Sequence, residues 1–368
     1  MEDMPIGEII AIWGVALGAL FGAVAQRTNF CTMGALSDWI LMGEKNRLRS
    51  WFLAIAVGLI GTQILHGLEI VDMSAAIYLT PNLGWAGAVL GGAVFGYGMV
   101  LGGGCGNKTI VRMGAGNLKS VVVFLVLGVF AYMTVRGFIG PARLILEGWT
   151  VVDLTQMDLE NQGIPHILSS LSGQSEEMLR WLITGLLGGG LLVYCFKDEE
   201  FRSETALVVG GIILGLAIPA AWYITGVLGY DDFDPIALNA FSFVAPSGDS
   251  IQYMMTFTGS TINFGISVVG GVILGSFLMS KATGTFHFEA FNGADDMIRH
   301  MTGGALMGVG GVLALGCTIG QGMSGTSTLA LGSFIALFGI FVGAIFGLRL
   351  MEEGNVGDAI KAMFTGSD

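Results

Sequence analysis

Apolar residues run through most of this chain, and polar ones collect in short breaks between the runs. A helix needs about 20 apolar residues to cross the hydrocarbon core of a bilayer. Nine stretches approach that length: 6–26, 50–67, 84–104, 119–138, 179–197, 205–222, 262–280, 300–316 and 328–350. The pattern predicts an all-α membrane protein with about nine transmembrane helices. Four runs are followed by Gly-rich segments too short or too polar to cross alone, at 31–42, 105–117, 225–243 and 317–327. Backbone that is broken or re-entrant at membrane depth survives only where protein buries it or where it lines a wet cavity. These four segments are the first functional signal.

The second signal is internal similarity. Residues 91–105 read GGAVFGYGMVLGGGC and residues 303–317 read GGALMGVGGVLALGC, with nine of 15 positions identical and both cysteines in register. Gly-rich apolar sequence matches itself easily, but the shared register of Gly91/Gly303, Gly96/Gly308, Gly98/Gly310 and Cys105/Cys317 is harder to obtain by composition alone. Gly18 and Gly22 precede one break much as Gly211 and Gly215 precede another. The chain therefore divides into a first repeat half (1–138), an acidic connection (139–178), a second repeat half (179–351) and a tail (352–368). With nine alternating spans the matched third and eighth run in opposite directions, so the two repeats are inverted and pseudo-symmetric. Inverted repeats with discontinuous helices are a transporter architecture, with the substrate near the repeat interface.

Charge sets an orientation. With the N-terminus outside, Lys45, Arg47, Arg49, Lys108, Arg112, Lys119, Lys197, Arg202, Lys281, Arg299, Arg349 and Lys361 fall inside. Only Arg136, Arg143 and Arg180 fall outside, with the acid-rich loop 147–177 and Asp231, Asp232 and Asp234. The positive-inside rule favours this arrangement, with the N-terminus periplasmic and the C-terminus cytoplasmic. Glu2 and Asp3 leave the start without the positive region of a secretory signal, so the first run reads as a retained span. Charged residues make up 12% of the chain and mean hydropathy is +0.73, against about 25% charged in soluble domains. Sixty glycines fit close helix packing in lipid. A net charge of −12 without a basic patch argues against nucleic-acid binding.

Of four cysteines, Cys31, Cys105 and Cys317 sit at helix breaks, and Cys195 ends a span beside a charged loop. No CxxC spacing proposes a zinc or redox site, and His66, His166, His287 and His300 are scattered; no metal or cofactor is indicated. A lone cysteine reads best as a small buried hydrophobe, and Cys195 keeps that reading. Three at helix breaks, two of them repeat-related, favour a functional one. A neutral thiol is a weak donor and a soft acceptor, so it can contact the soft end of a sulfur anion without adding a second negative charge. Gly104, Gly106 and Gly316 let backbone approach closely, and the short segment after each cysteine can aim helix N-terminal amides at an anion. Further lining candidates are Arg27, Asn29, Asn107, Lys108, Thr318 and Gln321, with Gln26 and Asn263 as candidate polar linings beside Asn29. Lys108 and Arg112 could draw an anion toward the cytoplasmic side, and they read at least as well as ordinary cytoplasmic anchors. Arg27 either faces protein or a wet cavity, because a charge at the bilayer centre costs about 2.5–3.5 kcal/mol, or it snorkels to the interface. Trp222 and Tyr223 read as packing or interfacial residues.

RTNFCTMGALSDW (27–39), GGGCGNKTIVRMGAGN (102–117) and GCTIGQGMSG (316–325) resemble the YeeE/YedE family of bacterial inner-membrane sulfur transport proteins. The resemblance covers about 7–138 and 205–350. It implies a nine-span, hourglass-shaped fold in the inner membrane that takes up thiosulfate. It also implies that Cys31, Cys105 and Cys317 hand the ion along by S–H···S hydrogen bonds, and that a separate TusA-like sulfur carrier receives it in the cytoplasm. Two other classes compete. A membrane sulfurtransferase using a cysteine persulfide needs an activating base, and no His or carboxylate neighbours these cysteines in sequence. A soft-metal transporter would use thiols and thioethers, but the 19 methionines are scattered and form no MxxM cluster within the apolar runs.

Overall fold

A computed structural model describes residues 5–230 and 236–365; Glu2, Asp3, Asp231, Asp232 and Asp234 lie outside them. The described chain is almost wholly helical. Its only strands, β1 (Asn82–Leu83) and β2 (Val152–Asp153), form one short antiparallel pair. Among the described residues, eight helical segments are long and apolar enough to cross a membrane.

The first half is built from α1 (Ile6–Arg27), α2 (Thr32–Met42), α3 (Asn46–Gly67), α4 (Gly92–Leu101), α5 (Gly106–Gly114) and α6 (Leu118–Val135). The connection carries α7 (Gly140–Thr150) and α8 (Ile164–Ser172). Next come α9 (Glu176–Thr184), α10 (Gly190–Phe196) and the short α11 (Glu199–Ser203). The chain continues as α12 (Thr205–Tyr223), α13 (Ala245–Met255), α14 (Phe264–Ala282), α15 (Ala294–Leu313) and α16 (Leu331–Glu353), and α17 (Val356–Thr365) closes the described chain. The expected eighth span is α15, which falls outside the apolar set because its first turns carry Asp295, Asp296, Arg299 and His300. Its apolar part still packs between α4 and α6.

The expected breaks take different forms. Residues 31–42 and 105–117 hold the short helices α2 and α5, whereas 317–327 holds a π-helical turn, Gly320–Gly325. The segment from 225 begins with a π-helical turn, Ile224–Leu228; its described part has no regular structure again until α13. That helix was not legible in APSGDSIQYMM, whose Pro246 sits in the first turn and whose Ser and Gly residues read as loop.

Glycine explains how closely these helices pack. A Cβ at Gly275 of α14 would lie 1.9 Å from the Ala19 carbonyl oxygen of α1, and one at Gly343 of α16 would lie 2.0 Å from the Ala93 oxygen of α4. Such backbone-to-backbone approach is open only to small residues and favours helix association in lipid. The pairings come in matched sets: α1 packs on α14 and α12 on α3, while α4 packs on α16 and α15 on α6. Contacts such as Gly92 with Ala336 and Gly96 with Ile340 show that α4 and α16 run parallel. Gly304 with Val123 and Gly308 with Leu127 show the same for α15 and α6. In the middle, Gly91 faces Gly310 and Gly98 faces Gly303, so α4 and α15 cross antiparallel. These senses are those of a chain crossing in alternation with α15 counted as a span. α9 and α10 pack against α3 and have no counterpart among the matched pairs.

Candidate functional site

Three breaks share one backbone device. α1 ends with Asn29 in the left-handed region (φ 52°), α4 with Gly103 (φ 69°) and α15 with Leu315 (φ 56°). In each, the next amide reaches back to a carbonyl five residues earlier: Phe30 to Ala25 at 3.0 Å, Gly104 to Met99 at 2.9 Å and Gly316 to Gly311 at 2.8 Å. This is the Schellman ending of a helix, which satisfies carbonyls that would otherwise be orphaned. The residue after it is a cysteine each time: Cys31, Cys105 or Cys317. Each cysteine then starts a new helical turn, its carbonyl accepting from Ala35, Thr109 or Gln321 at 2.8–2.9 Å. Helix, left-handed residue, spacer, cysteine and helix thus recur in that order at three places.

The thiols are buried and free. Cys31 is the N-cap of α2, and its Sγ accepts from the Gly34 amide at 3.4 Å. Cys317 Sγ accepts from the Gly320 amide at the same distance. Cys105 is the N-cap of α5. Its thiol interacts with that of Cys31, and the Thr318 hydroxyl lies beside it. Cys317 lies next to the Phe243 backbone. Phe243 in turn borders Gly106, where an added Cβ would come within 3.8 Å of its Cβ. All three cysteine breaks therefore converge on one buried region. Cys195 is elsewhere: it packs with Leu53 and Phe201, and its thiol donates to the Arg49 carbonyl at 3.3 Å.

Beside each cysteine stands a buried polar side chain with atoms lacking a partner among the described residues. They are Thr32 Oγ1 after Cys31, both amide atoms of Asn107 after Cys105, and Thr318 Oγ1 and Gln321 Oε1 after Cys317. Buried polar groups are nearly always paired, so a cluster of orphans along three helix breaks marks a place for a polar ligand or water. Gln321 keeps one bond, from its Nε2 to the Ala314 carbonyl at 2.5 Å. Sequence reasoning did not single out Thr32, because a threonine at a helix start reads as an ordinary terminus residue.

Cavities approach the cysteines from both ends of the α4/α15 pair. One, of about 500 Å³, lies where α4 ends and α15 begins, and it is lined by Gly102, Lys108, Arg112, Lys119, Asp296 and His300 among others. The other, about 30 Å³, lies at the opposite end beside Tyr78, Gln162, Leu315, Gln321 and Ser333. The connection closes over that end: Gln162 donates to the Thr80 carbonyl at 3.0 Å and accepts from the Gly332 amide at 3.2 Å.

The remaining expected residues are placed as follows. Asn29 accepts from Lys108 Nζ through Oδ1, and its carbonyl accepts from Arg47 at 2.9 Å. Gly104, Gly106 and Gly316 are buried in the breaks. Gln26 lines the larger cavity. Asn263 instead caps α14, accepting from the Ile266 amide at 2.9 Å. Arg27 is exposed at the end of α1, which matches the snorkelling alternative rather than a buried one. Trp222 is fully buried, its indole donating to Ser327 Oγ at 3.2 Å, while Tyr223 is exposed. His300 was not tied to any site by sequence; its Nε2 lies 3.4 Å from where a Cβ at Gly103 would stand, beside the turn that leads into Cys105.

The family described as sulphur transport matches residues 27–346. A thiosulfate transporter, TsuA, of Escherichia coli (strain K12) is 24% identical over 338 residues, covering 90% of this chain and 91% of that protein. A protein of the same name from Spirochaeta thermophila is 26% identical over 335 residues, covering 88% and 94%. The probable transporter YedE of Escherichia coli is 33% identical over 92 residues, 24% of this chain and 20% of that protein.

Proposed function

The chain belongs to the sulphur transport family, and from that premise we propose that it takes up thiosulfate, or a similar soft sulfur oxyanion, across the bacterial inner membrane. The observation that carries the proposal is the device repeated at Cys31, Cys105 and Cys317, with free buried thiols and orphaned polar groups at each break. Thiosulfate has a soft terminal sulfur and a hard sulfonate end. Thiols suit the first, as weak donors and polarisable acceptors; hydroxyl, amide and backbone N–H donors suit the second.

On this reading the two halves are inverted repeats. The repeat-equivalent helices α4 and α15 cross antiparallel, as a two-fold axis in the membrane plane requires. The cavities at the two ends would be the mouths of an hourglass whose waist is the cysteine region. The end rich in Lys and Arg faces the cytoplasm by the positive-inside rule, which puts the N-terminus in the periplasm. The names carried by the two long-matching relatives support the substrate. Transport rather than catalysis is the function, and a small TusA-like carrier would accept the sulfur species inside.

Three experiments test this. Expression should let a strain lacking sulfate uptake grow on thiosulfate and not on sulfate. Purified protein in liposomes should take up labelled thiosulfate, and Cys105→Ser and Cys317→Ser should each abolish uptake. Full uptake by both serine variants would remove the thiols from the route. A stable sulfur adduct found by intact-mass analysis after thiosulfate exposure would favour the sulfurtransferase instead.

A further inference from the structure

Lys108 is only 5% exposed, and its ammonium donates to a neutral partner, Asn29 Oδ1. Arg112 is half-buried and donates to the Gly103 carbonyl at 2.7 Å. Neither cation forms an ion pair with a carboxylate among the described residues. The nearby acids are already engaged: Glu289 with Lys119 at 3.3 Å, and Asp296 with Lys119 at 3.1 Å, Arg299 at 3.2 Å and His300 at 3.1 Å. The charged groups lining the cavity are Lys108, Arg112, Lys119 and Arg299 against Glu289 and Asp296, a formal surplus of two positive charges with His287 and His300 neutral. A buried charge without a counter-charge is costly unless something of opposite sign occupies the space.

We infer that this vestibule is a binding site for a divalent tetrahedral oxyanion, held by Lys108 and Arg112. Several observations converge on it. The cavity, about 500 Å³, has room for such an ion with water. The surplus charge matches a dianion. Lys108 follows Cys105 by three residues on α5, and its ammonium is bonded to Asn29, two residues before Cys31. The site therefore stands beside the paired thiols, and an ion leaving them meets it next. Asn29 orients Lys108, and the ion's oxygens would make charge-assisted bonds with both cations. Only the identity of the ion, thiosulfate, rests on the transport reading.

The test is equilibrium binding of radiolabelled thiosulfate to the purified full-length protein at fixed ionic strength, with uptake by reconstituted wild type measured in parallel. Lys108→Met is expected to weaken binding about tenfold or more, the usual effect of losing a hydrogen bond to a charged group. Lys108→Arg should recover most of it, and Arg112→Gln should weaken it independently. Arg202→Gln, an exposed cation outside the cavity, should bind as wild type and so controls for a general charge effect. Unlabelled sulfate, another divalent tetrahedral oxyanion, should compete. If Lys108→Met and Arg112→Gln fold as wild type and bind thiosulfate equally well, the vestibule site is overturned even where wild type transports. Should Lys108→Met misfold, Arg112→Gln alone decides. Lys108-dependent binding by a wild type that takes up no thiosulfate would support the site and overturn the transport reading instead.

Discussion

Replacing the orphaned polar side chains with apolar isosteres should make the protein more stable and less active. Asn107 is fully buried, and neither its amide nitrogen nor its oxygen has a partner among the described residues; the Thr318 hydroxyl, also fully buried, has nothing better among them than the Cys105 thiol beside it. An unsatisfied buried polar group costs about 1–3 kcal/mol. Asn107→Leu removes two such atoms and should stabilise by about 2 kcal/mol, and Thr318→Val by about 1 kcal/mol. Water on the route reduces these gains toward zero without reversing them. The effect on transport has the opposite sign. An anion that has shed its water loses a donor, and a hydrogen bond to a charged group is worth about 1.5–3 kcal/mol. At about 1.4 kcal/mol per factor of ten, uptake should slow by about 10-fold to 100-fold. Thermal unfolding of the purified variants gives the first quantity, and uptake into liposomes gives the second. If either variant loses more than about 1 kcal/mol of stability and still transports at the wild-type rate, its polar atoms hold the fold together and the reasoning fails.

Gly96→Ala places a Cβ 2.1 Å from the Ile340 oxygen and should force α4 from α16, costing about 1–3 kcal/mol. Gly189→Ala, with nothing within 4 Å, should be neutral or slightly stabilising; melting curves of the pair check the contrast. Cys195→Ala should lose about 1 kcal/mol with the bond to Arg49 and leave uptake unchanged, which a transport assay of that variant measures. Asp296→Asn frees Lys119 of one partner and raises the surplus charge of the vestibule. Thiosulfate should then bind more tightly at low salt, with a steeper loss as ionic strength rises.

The spans and breaks were legible because a run of about 20 apolar residues has few soluble explanations, and a cysteine between glycines interrupts such a run visibly. What escaped the sequence depends on the third dimension. Lys108 reads equally as a lining cation and as an interfacial anchor at the end of a span, and only the fold shows that it is buried. Its burial comes from α5 folding back against α14, α6 and α1. The left-handed Gly103 could be guessed from its residue type, but Leu315 could not, since a leucine there is disfavoured. The repeat held the clue: 103 and 315 occupy the same register as 105 and 317. Beyond that point the register slips by one, so Gly116 (φ 98°) matches Leu329 (φ 60°). The π-helical turn Gly320–Gly325 lies within the slip, and a π-turn is the usual form of a single inserted residue.

On the proposed inverted repeat, the exceptions to the pattern are informative too. α2 and α13 are both eleven residues long, and their N-caps are Cys31 and Val244, each preceded by a phenylalanine. The fourth break thus presents a valine where the pattern offers a thiol, and Phe243 beside it packs with Phe21 and Phe241. Lys108 likewise has no cationic equivalent near Gln321, and the residues lining the cavity there carry no formal charge. On the proposed route an ion would meet neutral donors and Cys317 first, then the paired thiols of Cys105 and Cys31, then two cations. Such a gradient of site charge fixes where the ion rests, because it deepens one well relative to another. It cannot set the direction of net flux, since a bound state that favours entry from one side retards release on the other by the same factor. Directional uptake must come from consuming the ion in the cytoplasm or from coupling to another gradient, and the vestibule is where the first of these would act.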